Sequence, residues 1–185
     1  MHIKLVLFFF LPGILSVSAA DVDTLMINSN SMNKTIGNVV ITPDSYKTQD
    51  KAFPVLYLLH GAFGNHKDWI TKVPKIKEYA DQYNLIIVCP NGGFNSWYLD
   101  SPVDKNWRYE TYVSKELVSA IDQKYNTVEN KRGRAIAGLS MGGHGAFYLS
   151  FRNQDVWGAA GSMSGGVDIR PFPNNWSMTE RLGSW

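Results

Sequence analysis

The chain has 185 residues, 44% of them hydrophobic and 13% aromatic, and carries a formal charge of +2. That length is about one domain, and the apolar content is enough for a packed core, which excludes a disordered chain. Near-neutrality argues against a nucleic-acid partner or a polybasic membrane surface; the one local basic cluster, Lys72, Lys75 and Lys77, reads as the wet face of a helix.

Met1-His2-Ile3-Lys4 is a short positive start, residues 5–17 are apolar, and Ser18-Ala19-Ala20 supplies small residues before polar Asp21. This pattern predicts a secretory signal peptide over residues 1–20, cleaved after Ala19 or Ala20. A membrane anchor fits less well, because the run is short of the ~20 residues a span needs and Pro12-Gly13 interrupts it. The expected destination is therefore outside the cell or in the periplasm, with no stable membrane insertion after cleavage. Residues 21–185 form the expected folded domain.

Residues 22–27 and 37–41 read as two strands of an antiparallel start, joined by a polar turn region over residues 28–33. Residues 53–59 and 85–89 are continuous apolar runs, the signature of strands covered on both faces. Helical sequence lies between them, around residues 75–83. The single cysteine, Cys89, sits inside the second run and reads as a small buried hydrophobe. Residues 91–106 form a long loop rich in Gly, Asn and Trp. Val113, Leu117, Val118 and Ile121 then mark one face of a helix over residues 109–125. A short strand at residues 134–137, a helix from Met141 and a strand over residues 157–163 complete the pattern. Buried strands alternating with helices predict an α/β fold with a mostly parallel, doubly wound sheet.

Gly138-Leu139-Ser140-Met141-Gly142 is a G-x-S-x-G sequence placed between a strand and a helix. That context predicts a nucleophile elbow, with the Ser140 hydroxyl exposed above the sheet edge. A serine hydroxyl is a weak nucleophile without a base, and its reaction needs donors for the oxyanion. The backbone N–H of Met141, at the helix start, is one expected donor. The Gly-flanked turn His60-Gly61-Ala62-Phe63-Gly64 supplies the second, with Ala62 preferred and Phe63 the alternative. His60 reads as a residue that fixes this loop. In the long loop, Trp97, Tyr98 and Trp107 suit a sugar or aromatic acyl group, with Asn95 and Asp100 as hydrogen-bonding candidates. Packing of those aromatics onto the domain is the competing reading. Phe63, Trp97 and Tyr98 are the expected substrate contacts. Glu110 reads as a carboxylate favoured at a helix start.

Three segments together carry a resemblance: residues 56–65, Asp68-Trp69, and Gly138 to Ala146 with its double glycine. They resemble the esterase-D-like esterase family of α/β-hydrolases, from about Asn33 to Gly166, including residues 95–98 and 163–166. That family is similar in fold to S-formylglutathione hydrolases, tributyrin esterases, feruloyl and acetyl xylan esterases, and mycolyltransferases. The resemblance implies an α/β-hydrolase fold, a Ser-Asp-His triad, and hydrolysis of esters or thioesters with no cofactor and no metal.

The chain departs from the family in one respect. The triad partners are expected after the serine, in the order acid then histidine, yet His144 is the only histidine there, four residues along the same helix. His60 and His66 precede the serine. Asp168 follows the next strand and is an acid candidate, although the family's acid is expected further on. Ser177-Met178-Thr179-Glu180 is a capping box opening a helix shortly before Trp185. The expectation is an α/β-hydrolase domain incomplete at its C-terminus, whose acid and base lie beyond Trp185. The expected activity is an exported serine esterase acting on short acyl or hydroxycinnamoyl esters of carbohydrates. An acyltransferase and a non-catalytic carbohydrate-binding relative are the alternatives.

Overall fold

Side chains alternate across a strand, so a strand that is apolar at every position must be covered twice. The computed structural model describes residues 19–172 and 174–183; of the expected signal segment over residues 1–20, residues 1–18 lie outside the described residues. Among the described residues there are six strands: β1 (Asp21–Ser29), β2 (Lys34–Thr42), β3 (Val55–Leu59), β4 (Ile86–Pro90), β5 (Arg134–Leu139) and β6 (Ala159–Met163). They join in the order β1-β2-β4-β3-β5-β6. β2 pairs antiparallel with β1 and β4, while β3–β4, β3–β5 and β5–β6 are parallel. This is an α/β-hydrolase sheet with an antiparallel start.

Parallel neighbours cannot be joined by a hairpin, so each pair needs a crossover. α1 (Asp68–Lys72) and α2 (Ile76–Tyr83) connect β3 to β4. α3 (Tyr109–Thr111), a π-helical stretch (Tyr112–Leu117) and α4 (Val118–Lys124) connect β4 to β5. α5 (Met141–Arg152) connects β5 to β6, and α6 (Met178–Leu182) follows. Ile86 and Val88 enter one core with Tyr57, Leu59, Ile121 and Leu149. The intervening Ile87 and Cys89 enter the other, with Leu58, Ile76 and Ala80. Burial pushes the Cys89 thiol up to about 12, so it packs as a neutral group.

The helix expected over residues 109–125 is present, and Val113, Leu117, Val118 and Ile121 are all buried. Its middle is wound wider than the sequence suggests. An apolar stripe at three- and four-residue spacing does not report one wide turn, because the stripe survives it. The last predicted strand starts two residues late, at Ala159; Trp157 instead packs edge-on against Tyr57, ring centres 5.0 Å apart. Among the described residues no helix is long and apolar enough to cross a membrane.

Strand order places β4 on one side of β3 and β5 on the other. The loops that follow these three strands therefore open at one sheet edge, where α/β proteins bind ligands. Everything in the candidate site is built from those loops and from the segment after β6.

Candidate active site

Ser140 ends β5 and starts α5 with φ 54° and ψ −116°, a backbone conformation that costs a non-glycine residue about 1–3 kcal/mol. Its N–H donates to the Met163 carbonyl at 2.8 Å, and its own carbonyl accepts from His144 N at 3.0 Å. Those two bonds hold the backbone in its unfavourable geometry and leave the side chain exposed. Tight passage of strand against helix demands the flanking glycines. A Cβ on Gly138 would strike the backbone of Gly142, and one on Gly142 would strike the carbonyls of Leu59 and His60.

The hydroxyl opens on a cavity of about 680 Å³, walled by Gly61, Ala62 and Phe63, by Asp68, Trp69 and Lys72 of α1 with Val73 after it, by Trp97, by Ser164 to Gly166, and by Trp176. Nine described residues other than glycine have positive φ, and five of them line this cavity: Phe63, Trp97, Ser140, Ser164 and Trp176. Such clustering of backbone strain runs from observation to function, since strained residues persist where a site needs them.

Both expected oxyanion donors face the cavity. Among the described residues, no acceptor pairs with the amide of Met141 or of Ala62, and Met141 begins a helix, where first-turn N–H groups have no intrahelical partner. Phe63 is different. Its amide donates to the Phe94 carbonyl at 2.7 Å, which removes it as the alternative donor. The Phe63 ring is exposed at the rim and pairs with Phe94, ring centres 4.5 Å apart.

Of the aromatics expected at the substrate, Trp97 lies on the cavity wall and Tyr98 does not. This corrects the expectation for Tyr98: it is fully buried, its hydroxyl donates to the His60 carbonyl at 3.1 Å, and its ring fills the space that Gly145 leaves open. Trp107 lies under the Arg181 guanidinium, 3.6 Å from its ring centre, rather than on the cavity. Asn95 and Asp100 serve the loop itself. Asn95 Oδ1 accepts from Arg181 at 2.8 Å, and Asp100 accepts from the Thr111 amide and hydroxyl at 3.0 and 2.6 Å. Glu110 in α3 accepts from Tyr148, Arg152 and Asn153, tying α3 to α5.

No imidazole among the described residues is free beside Ser140. His60 Nδ1 donates to the Gly61 carbonyl at 2.7 Å, so Nε2 is the lone-pair nitrogen and accepts from Gly92 N at 2.9 Å. His144 Nδ1 likewise meets the Gly166 carbonyl at 2.8 Å, and its ring lies between Trp97 and Tyr148, off the cavity wall. His66 packs over Gly37 of β2. Asp168 is held by Arg170 through two 2.8 Å contacts, which draw its carboxyl down to about 2, and it borders a separate hollow. That placement corrects its candidacy as the acid. Among the described residues no group of three His, Cys, Asp or Glu side chains is placed to hold a metal.

Burial holds both His60 and His144 below the ordinary histidine range. Each is neutral in the fold, whereas the unfolded chain takes up a proton below pH ~6.5. Their contribution is therefore whole above about 6.5 and is lost as pH falls from there towards the depressed native values, at up to about 1.4 kcal/mol per pH unit each. Urea midpoints are expected to fall between pH 7.5 and 5.5, with a shallower dependence in His144→Gln. An equal slope in both proteins would contradict this.

Sequence reasoning missed the outer wall. Trp176 has φ 52°, its carbonyl accepts from Trp97 Nε1 at 3.2 Å, and its ring stands 5.7 Å from that of Trp97. Arg181 seats this segment on the long loop through Asn95 and Trp107, and Ser101 Oγ donates to the Arg181 carbonyl at 2.6 Å. Trp176 lies in a short polar stretch with no periodicity, so nothing local marks it. In the sequence, Asp68 and Trp69 carry only the resemblance; in the fold they line the cavity.

Comparison with known proteins agrees with this architecture. The family described as "Putative esterase" matches residues 29–185. An esterase of Mycobacterium tuberculosis H37Rv is 36% identical over 137 residues, 71% of this chain and 29% of that protein. An acetyl esterase of Caldicellulosiruptor saccharolyticus is 36% identical over 91 residues, 49% of this chain and 33% of that protein. This chain thus spans about a third or less of the length of these curated relatives. The solved structure of a ferulic acid esterase superposes with a TM-score of 0.75 at 33% identity, covering 89% of this chain and 66% of that one. An S-formylglutathione hydrolase from Agrobacterium tumefaciens shares the fold, with a TM-score of 0.80 at 20% identity over 91% of this chain and 67% of its own. The match over residues 29–185, which include the elbow, places the chain in the putative esterase family.

Proposed function

We propose that this protein is a serine carboxylic-ester hydrolase that works through an acyl-enzyme on Ser140. The observation that carries the proposal is the elbow itself: an exposed hydroxyl on a strained turn, facing the unpaired amides of Met141 and Ala62. Ser140 Oγ adds to the ester carbonyl carbon, and the oxyanion forms against those two N–H groups, where preorganised donors count most. Collapse expels the alcohol, and water then releases the acid. No cofactor enters either step. Because both ring nitrogens of His60 are bonded and His144, whose Nε2 is buried without a partner, lies off the cavity wall, the proposal takes its base and acid from outside the described residues, as the resemblance implies.

The substrate we propose is a short acyl or hydroxycinnamoyl ester of a carbohydrate. A cavity with Trp97, Trp176 and Phe63 on its walls suits a planar acyl group, and the relatives named as acetyl and ferulic acid esterases support the class. Export is part of the same proposal and rests on the apolar stretch before Asp21.

The test is intact-mass analysis after mixing with p-nitrophenyl acetate. The expected result is an acetyl adduct on the peptide that holds Ser140, cleared by water. An adduct on another residue, or none in protein that still folds, overturns the reading. Clearance that depends on an added sugar and yields acetylated sugar instead of acetate would mark a transferase.

A further inference from the structure

We propose that the mature protein begins at Ala20 and that its α-ammonium forms an ion pair with Asp81. The inference rests on the export reading given above and goes beyond it, because the sequence allows cleavage after either Ala19 or Ala20. The fold separates the two. Ala19 is exposed, whereas Ala20 is 1% exposed and packs among Val39, Ile41, Ile76 and Ala80. Ala20 N donates to Asp81 Oδ2 at 3.1 Å, and the other oxygen of that carboxylate accepts from Asp44 N at 2.7 Å.

Asp81 occupies an electrostatically poor place. It lies in the last turn of α2, at the negative end of the helix dipole, and that turn contains no basic residue. A positive charge there would be favourable twice over, against the carboxylate and against the helix end. Cleavage after Ala19 supplies it. In that step a signal peptidase adds water across the Ala19–Ala20 amide. The Ala19 carbonyl carbon takes the oxygen and leaves as a carboxylate, and the Ala20 nitrogen leaves as an ammonium. The neutral N–H contact becomes a charge-assisted one, a stronger class of bond. Cleavage after Ala20 would instead delete a buried methyl group and leave Asp81 Oδ2 without this donor. It would also place the new charge on Asp21, whose carboxylate already pairs with Lys47 at 2.8 Å.

The experiment expresses the full chain in a secreting host and reads the N-terminus of the exported product by intact mass and sequencing. Ala20 is the expected first residue. A product beginning at Asp21 overturns this inference and leaves export standing; a product that retains residues 1–19 overturns both. The pair is then tested by acetylating the N-terminal amine in the mature protein and in its Asp81→Asn variant. Acetylation is expected to lower the folding equilibrium constant about fivefold in the former and to have no effect in the latter. An equal loss in both proteins would sink the ion pair.

Discussion

Ser140→Ala is expected to lower ester hydrolysis by roughly 10⁴-fold or more and to abolish labelling by a fluorophosphonate. The size of the effect follows from its place in the site. In the proposed mechanism the hydroxyl forms the acyl bond, and the amides of Met141 and Ala62, on the cavity wall, would stabilise an oxyanion only once that bond is forming. Stability should be almost untouched, because Ser140 is exposed and its backbone bonds to Met163 and His144 survive the change. Activity and stability therefore separate in this variant. Retained labelling would remove Ser140 as the nucleophile. A large loss of melting temperature would instead mean that the hydroxyl holds the fold together.

Gly142→Ala is expected to show the reverse coupling, losing activity because it loses structure. A Cβ at this position would lie 2.7 Å from the His60 carbonyl oxygen, also 2.7 Å from the Leu59 carbonyl carbon, and in contact with the Leu59 oxygen. All three are backbone atoms of the strand end and loop beside the site, so no rotamer change relieves the overlap. Overpacking of this kind costs about 1–3 kcal/mol, which for a chain of this size lowers the melting temperature by roughly 3–10 °C. The same shift would drag the loop that carries the Ala62 amide away from Ser140. Gly161→Ala provides the control. There a Cβ would meet only the Ala137 Cβ at 3.5 Å, an ordinary contact, and its effect should stay within about 0.5 kcal/mol. Thermal melts of both variants decide the point. Equal melting temperatures would show that the elbow has slack that this geometry denies.

How much of the site could be read without the fold depends on whether a residue's role is local. The elbow was legible because strand, serine, double glycine and helix are contiguous in the chain. The Gly61-Ala62 turn was legible for the same reason. Phe63 as a donor was not, since its amide bonds to Phe94, 31 residues away. Tyr98 was misassigned because its neighbours in sequence are loop residues, while its neighbours in space are His60 and Gly145. Arg181 and Trp176 gave no signal at all, because both act on a loop some 80 positions earlier in the chain.

What these residues determine by themselves is the menu of elements: apolar runs that must be covered on both faces, a bend that only small neighbours permit, and one serine on that bend. Periodicity and backbone sterics act over a few residues, so they can be read in order along the chain. Which polar groups remain free to do chemistry was decided only in three dimensions. His60 and His144 have the right composition for a base, yet folding bonds both ring nitrogens of His60 to a carbonyl and an amide, and it buries the unpaired Nε2 of His144 off the cavity wall. A buried hydrogen-bonding group finds its partner wherever the packing places one, and no spacing rule along the sequence records that choice.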